Sequence, residues 1–86
     1  MNPTLVEEIL VLAKSTVKHP TRSGDAYLVE PPIEVRLKGS QTIRRADAVE
    51  RNTDPKKEKI QLIESGRWYF AWRFEVVPPA PLKEQP

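Results

Sequence analysis

The segment RWYFAWRFEVV at residues 67–77 holds five of the six aromatic side chains of this 86-residue chain. Successive side chains of a β-strand point to opposite faces of the sheet. Four large rings on one face of a strand must be buried, either in the domain's own core or against a partner. We expect these rings to fill the core, the commoner outcome in a small domain. A continuous strand would place on one face the side chains of Trp68, Phe70, Trp72, Phe74 and Val76.

The same segment has a second interpretation, as a platform on which nucleic-acid bases stack, because Arg67 and Arg73 flank the rings. The alternation places Arg73 on the face opposite the rings, beside Tyr69. The two interpretations differ in what they predict for Trp72→Ala. The variant should lose about 3–5 kcal/mol and unfold if the ring is in the core, but should stay folded if the ring is a platform.

A hairpin over residues 59–77 is the clearest predicted element. Residues 60–64 indicate its first strand, and Ser65 and Gly66 form a turn into the aromatic segment. Apolar and charged residues alternate strictly over 33–37, which is typical of a half-buried strand.

Two further regions are less regular. Residues 26–29 indicate a short strand that Pro31 and Pro32 should end, because two prolines are not expected in a central strand. Residues 41–51 fit either a helix or a returning strand, and we favour the strand. The sheet is therefore predicted to be antiparallel, with about four strands and the 59–77 hairpin at its centre.

An amphipathic helix is predicted over residues 4–18. Thr4 and Glu7 have the spacing of a capping box, apolar residues recur at helical intervals behind them, and Pro20 stops the helix. His19 is then a helix cap rather than a catalytic residue. Because the apolar face is wider than a lone surface helix needs, we expect it to lie on the sheet or against a partner. The predicted fold class is α+β.

The chain is predicted to be one α+β domain over residues 1–77, followed by an extended Pro-rich tail over 78–86. Polyproline segments can dock in aromatic-lined grooves or lie across a neighbouring subunit, although a terminal segment of this kind can equally remain free. The candidate partner-binding residues of the tail are Pro78, Pro79, Pro81 and Leu82.

Composition argues against several classes of function. Cysteine is absent, there is one histidine, and the three glycines are widely spaced. We therefore expect no catalytic site, metal, cofactor or small-molecule substrate. No apolar run approaches the roughly 20 residues of a membrane span, and Glu7 and Glu8 do not suit a signal peptide. These features predict a cytoplasmic or particle-associated protein without a membrane anchor.

Positive charge is concentrated in the middle of the chain. Residues 31–59 hold eight Lys and Arg against five Asp and Glu, although the whole chain carries only +2. The interleaved acids weaken the field that phosphates would meet. Tyr69 is a candidate for base stacking beside these cations. The candidate phosphate contacts are Arg36, Lys38, Arg44, Arg45, Lys56 and Lys57.

Three functional hypotheses follow. The leading one is a non-enzymatic structural or interaction subunit, a homo-oligomer or a protein that docks onto a larger assembly such as a virion, through its tail and an exposed sheet edge. The first alternative is a small nucleic-acid-binding module that uses the basic region 36–59. The second alternative is a small inhibitor or regulator of a larger enzyme.

Overall fold

The computed structural model describes residues 3–77, which form one helix packed on an antiparallel sheet of six strands. The α+β class is therefore confirmed, with six strands where about four are predicted. Two short 3-10 turns, Pro55–Lys57 and Ala71–Arg73, interrupt the strands. The elements are α1 Leu5–Leu12, β1 Ser15–Lys18, β2 Ala26–Leu37, β3 Ile43–Glu50, β4 Lys59–Leu62, β5 Trp68–Phe70 and β6 Phe74–Val76.

The sheet curls round on itself. Its strands are ordered β1-β2-β3-β4-β5, and β6 pairs with β2, which brings the last described strand back beside the second strand of the sheet. Only the turn Ala71–Arg73 separates β5 from β6, so the two sides of the sheet must lie close together. The sheet is consequently a small, partly closed barrel rather than a flat layer.

The helix begins where its sequence predicts and ends six residues early. Thr4 and Glu7 form the capping box, with the Glu7 N–H donating to Thr4 Oγ1 at 3.2 Å. After Leu12 the chain extends, and the Lys14 N–H donates to the Glu30 carbonyl at 2.9 Å. The predicted helix over 13–18 is wrong because pairing of Ser15–Lys18 with β2 satisfies the same backbone groups.

Strand β2 runs through the two prolines that were expected to end it. Pro31 and Pro32 lie between Leu28 and Ile33, where the register between β2 and β3 shifts. Proline lacks an N–H, so an irregularity at this point lets the strand continue without a broken ladder bond. The strand favoured for 41–51 is confirmed as β3.

The core lies between α1 and the concave side of the sheet. Strands β4 and β5 confirm the first part of the predicted hairpin, whereas β6 leaves it to pair with β2. The tail residues Pro78, Pro79, Pro81 and Leu82 lie outside the described residues. The buried core cluster comprises Leu5, Val6, Ile9, Val29, Val35, Ala46, Val49, Ile60, Leu62, Ala71 and Phe74.

Candidate nucleic-acid interface

The aromatic segment is broken at its middle by the turn Ala71–Arg73. The Ala71 N–H donates to the Glu58 carbonyl at 2.9 Å, and the Lys38 N–H donates to the Arg73 carbonyl at the same distance. These two bonds hold the turn from both sides, and the small Ala71 side chain is the one that enters the core. The period-two alternation therefore stops at Phe70 and restarts at Phe74.

This break divides the aromatic rings between two environments. Phe70 and Trp72 are 44% and 50% exposed, whereas Phe74 is only 7% exposed. The prediction that the whole series fills the core is therefore wrong for Phe70 and Trp72, and also for Trp68, which lies outside the core cluster. Tyr69 packs against the core, with its ring 5.9 Å from that of Phe74 in an edge-on arrangement, so it is not an exposed stacking residue.

Each outward ring has a cation close to it. Lys59 Nζ lies 5.5 Å from the centroid of the Phe70 ring, and Arg73 Cζ lies 5.4 Å from that of Trp72. Both distances are within the roughly 6 Å at which a cation is attracted to a ring face. The surface that carries these groups is called here the aromatic–basic face. Its members are Lys59, Trp68, Phe70, Trp72 and Arg73.

Trp68 is the most enclosed ring of this face. The Arg22 guanidinium lies over it, with Cζ 4.0 Å from the ring centroid, and the His19 ring lies 5.8 Å away. Arg22 is itself paired with Glu50, with Nη2 2.7 Å from Oε1. Trp68 therefore anchors the loop between β1 and β2, and leaves Phe70 and Trp72 as the accessible rings.

Two grooves are lined by residues of the aromatic–basic face. The first, about 330 Å³ in volume, is lined by Lys59, Phe70 and Arg73 among others. The second, about 200 Å³, is lined by Lys38, Lys56, Glu58 and Trp72 among others. Arg73 lines the first groove and its Cζ lies 5.4 Å from the ring of Trp72 in the second, so this side chain joins the two grooves into one strip.

The predicted phosphate contacts are only partly brought together. Of the six, Lys38 and Lys56 line the groove beside Trp72. Arg44 lies at a separate groove with Leu37 and Tyr69, and Lys57 is an exposed residue of the first 3-10 turn.

Two of the predicted cations are already engaged by carboxylates. Arg36 Nε lies 2.7 Å from Glu75 Oε2, and Arg45 Nε lies 3.2 Å from Glu64 Oε2. The Arg45 N–H also donates to Glu64, and this lowers the pKa of the Glu64 carboxyl. These arginines are therefore weaker candidates for phosphate binding than their positions in the sequence indicate.

The predicted set omits the cations Lys59, Arg73 and Arg22 that lie beside the rings. Lys59 lies opposite Phe70 in the β4–β5 register, so an exact register for the hairpin would have found it. Arg73 reaches the face because of the turn at Ala71, and Arg22 because of a loop from a distant part of the chain. The alternation predicts Arg73 on the face opposite the rings, which is wrong, and the local sequence gives no signal for Arg22.

One half-buried acidic group lies elsewhere on the sheet. Asp47 is in β3 where the pairing with β4 is irregular, and burial raises the pKa of its carboxyl. Its Oδ1 atom has no hydrogen-bond partner in the part of the chain that the structure describes.

Residues 3–77 meet the requirements of neither a metal site nor a membrane-spanning helix. Within that range no three His, Asp or Glu side chains converge to hold a metal ion. Among the same residues, no helix has the length and apolar character needed to cross a membrane. Comparison with protein-family models, with curated proteins and with solved structures gives no match.

Proposed function

We propose that this protein binds single-stranded nucleic acid on its aromatic–basic face. The observation that carries the proposal is the half-exposed indole of Trp72, which has Arg73 near its ring and Lys38 and Lys56 on the same groove. An exposed ring beside several cations is the arrangement with which proteins hold unpaired bases and their phosphates.

The exposed rings favour single strands over duplexes. Stacking on Phe70 and Trp72 requires bases whose faces are free, and a duplex keeps its bases stacked on each other. Each stacked base contributes about 1–3 kcal/mol, largely without regard to its identity. Two accessible rings therefore account for a site of a few nucleotides.

The charge of the strip favours modest, salt-dependent binding. Lys38, Lys56, Lys59 and Arg73 are four cations at or between the two grooves. Release of counterions from a single strand contributes a slope of about −0.7 per neutralised phosphate in a plot of log affinity against log salt. If all four contact phosphates, the expected slope is about −3.

Titration with short oligonucleotides tests the proposal. Stacking on Trp72 should quench its fluorescence when oligo(U) or oligo(dT) is added, and the affinity should fall markedly between about 50 mM and about 200 mM salt. A duplex of the same length serves as the matched control and should bind more weakly. Absence of quenching and of any shift in fluorescence anisotropy of a labelled oligonucleotide at the lowest salt would rule the proposal out.

A second candidate function is self-association, in line with the assembly hypothesis. Val11 is 83% exposed, and with Leu12 and Pro3 it lines an apolar groove of about 300 Å³ on the outer side of α1. Strand β1 is also exposed along its whole length, and within residues 3–77 it pairs only with β2. Such a surface suits a second copy of the chain or another protein.

Sedimentation velocity distinguishes the two candidates. Self-association through α1 predicts a concentration-dependent dimer that Val11→Glu abolishes. A monomer at every concentration would remove this candidate and leave the nucleic-acid proposal untouched.

A further inference from the structure

The groove beside Trp72 is lined in part by Glu58, whose buried carboxylate the general binding of nucleic acid does not use. Glu58 is only 4% exposed, and its Oε1 atom has no hydrogen-bond partner among residues 3–77. The other oxygen, Oε2, accepts a long bond of 3.4 Å from the Asn52 N–H. A buried carboxylate oxygen without a donor is costly, so a ligand that donates to it would be favoured.

A backbone hydrogen bond ties Glu58 to the turn that carries the indole. The Glu58 carbonyl accepts the hydrogen bond from Ala71 that holds the turn carrying Trp72. Glu58 and Trp72 line the same groove of about 200 Å³. Because Oε1 is buried in the protein without a ligand, a base in the groove must turn the carboxylate to reach it, and the broad terminal torsion of a glutamate side chain allows this.

The ligand that fits this combination is planar, neutral and rich in hydrogen-bond donors. A planar ring can stack on Trp72 while its edge meets Glu58. A positively charged planar group such as an arginine side chain would be repelled by Lys38 and Lys56 on the same groove. Those two lysines instead suit a base that carries its own phosphate.

Among the bases, guanine has the matching edge. Its N1–H and N2 amino group are adjacent donors, and a carboxylate accepts from both. The N3–H of uracil lies between two carbonyl oxygens, which the carboxylate repels. Adenine and cytosine present one amino group beside a ring nitrogen that is an acceptor. Resting on the proposed function, we infer that Glu58 makes the groove at Trp72 selective for guanine.

Seven-nucleotide RNAs with one variable central base test this inference. In wild-type protein, a central G in a U background should bind about tenfold more tightly than a central A, C or U. A central inosine, which keeps N1–H but lacks the N2 amino group, should lie between G and the others. Because this series uses only wild-type protein, it does not depend on the stability of any variant.

Glu58→Gln and a matched control then assign the preference to one side chain. Glu58→Gln should still bind oligonucleotides, but its affinity for the heptamer with a central G should be about equal to its affinity for the other heptamers. Glu34→Gln makes the same change of charge at an exposed position of β2 and should keep the preference. Retention of the full preference in a folded Glu58→Gln protein would contradict the assignment.

Other outcomes separate this inference from the proposed function. Equal binding of all the heptamers would overturn guanine selectivity and leave single-strand binding intact. No binding of any heptamer at low salt would overturn both. Tighter binding of an arginine-containing heptapeptide than of any RNA would overturn both in favour of a protein ligand.

Discussion

Phe74 and Trp72 are two positions apart in the same aromatic segment, yet one lies in the core and the other faces solvent. Phe74 packs edge-on against Tyr69 beneath α1, whereas Trp72 lies on the outer side with cations around it. The difference arises from Ala71, whose small side chain enters the core and turns the chain. Residue type alone therefore does not decide whether a ring in this segment stabilises the fold or remains available for a ligand.

The comparison also separates two contributions to free energy. On the inner side, rings gain stability by leaving water and by close packing with aliphatic side chains of α1 and the sheet. On the outer side, half of the Trp72 surface stays in water, so its burial is still available to a ligand. Variants of the inner side should therefore lose stability, whereas variants of the outer side should lose binding.

Phe74→Ala should destabilise the protein by about 3–5 kcal/mol, because it removes a buried ring and leaves a cavity under α1. Urea unfolding followed by circular dichroism measures this loss. A change below about 1 kcal/mol would mean that the inner side is not the core and would contradict the comparison.

Trp72→Ala should weaken binding of a single strand by about 1–3 kcal/mol and change the free energy of unfolding by no more than about 0.5 kcal/mol. Fluorescence anisotropy of a labelled oligonucleotide gives the first quantity, and urea unfolding gives the second. Val11→Ala removes an exposed apolar side chain on α1 and is the control that should change neither. A loss of several kcal/mol of stability in Trp72→Ala would show that Trp72, like Phe74, contributes to the core.

Lys38→Gln combined with Lys56→Gln should reduce the slope of log affinity against log salt concentration by about 1.4. Each phosphate contact on a single strand contributes about 0.7 to that slope. The comparison variant combines Arg36→Gln with Arg45→Gln and removes two charges of the same sign. Because Glu75 and Glu64 already hold those arginines, we expect its slope to match the wild type. Equal changes in the two double variants would show that net charge, rather than the groove, governs binding.

Asp47→Asn should give the smallest effect, a gain in stability at neutral pH below about 0.5 kcal/mol. Burial raises the pKa of this carboxyl in the folded protein, so its protonated form is favoured by folding. The contribution of Asp47 is present below its unfolded pKa and is lost as the pH rises through the folded pKa. The advantage of the asparagine variant should therefore vanish in acid. Thermal unfolding at a series of pH values measures it, and an advantage that grows in acid would contradict the assignment.

Local patterns predicted the elements whose partners lie close in the chain. The capping box at Thr4 marks the helix start, the alternation over 33–37 lies within β2, and the turn after Leu62 joins β4 to β5. Each of these depends on hydrogen bonds or spacing within a few residues. For the candidate site, the aromatic segment, Lys38 and Lys56 were predictable, but not their position in one groove.

The remaining errors share a physical cause, which is contact between segments that are separated in the sequence. Ser15–Lys18 fits a helical pattern, and its partners in β2 lie nine to fifteen residues further along the chain. Pro31 and Pro32 are tolerated because β3 shifts register beside them. Arg22 reaches Trp68 through a loop whose ion pair is formed with Glu50, on another strand.

The amino-acid sequence by itself determined that this chain forms an α+β domain with an N-terminal helix and an aromatic hairpin, because helix caps, alternation and turn residues act over a few positions. Only the tertiary structure decided which rings are buried. The bonds from Ala71 to Glu58 and from Lys38 to Arg73 join segments far apart in the chain, and the turn that they hold places Phe74 on the side opposite Phe70 and Trp72. Contacts of that kind depend on closure of the whole sheet, which no local pattern encodes.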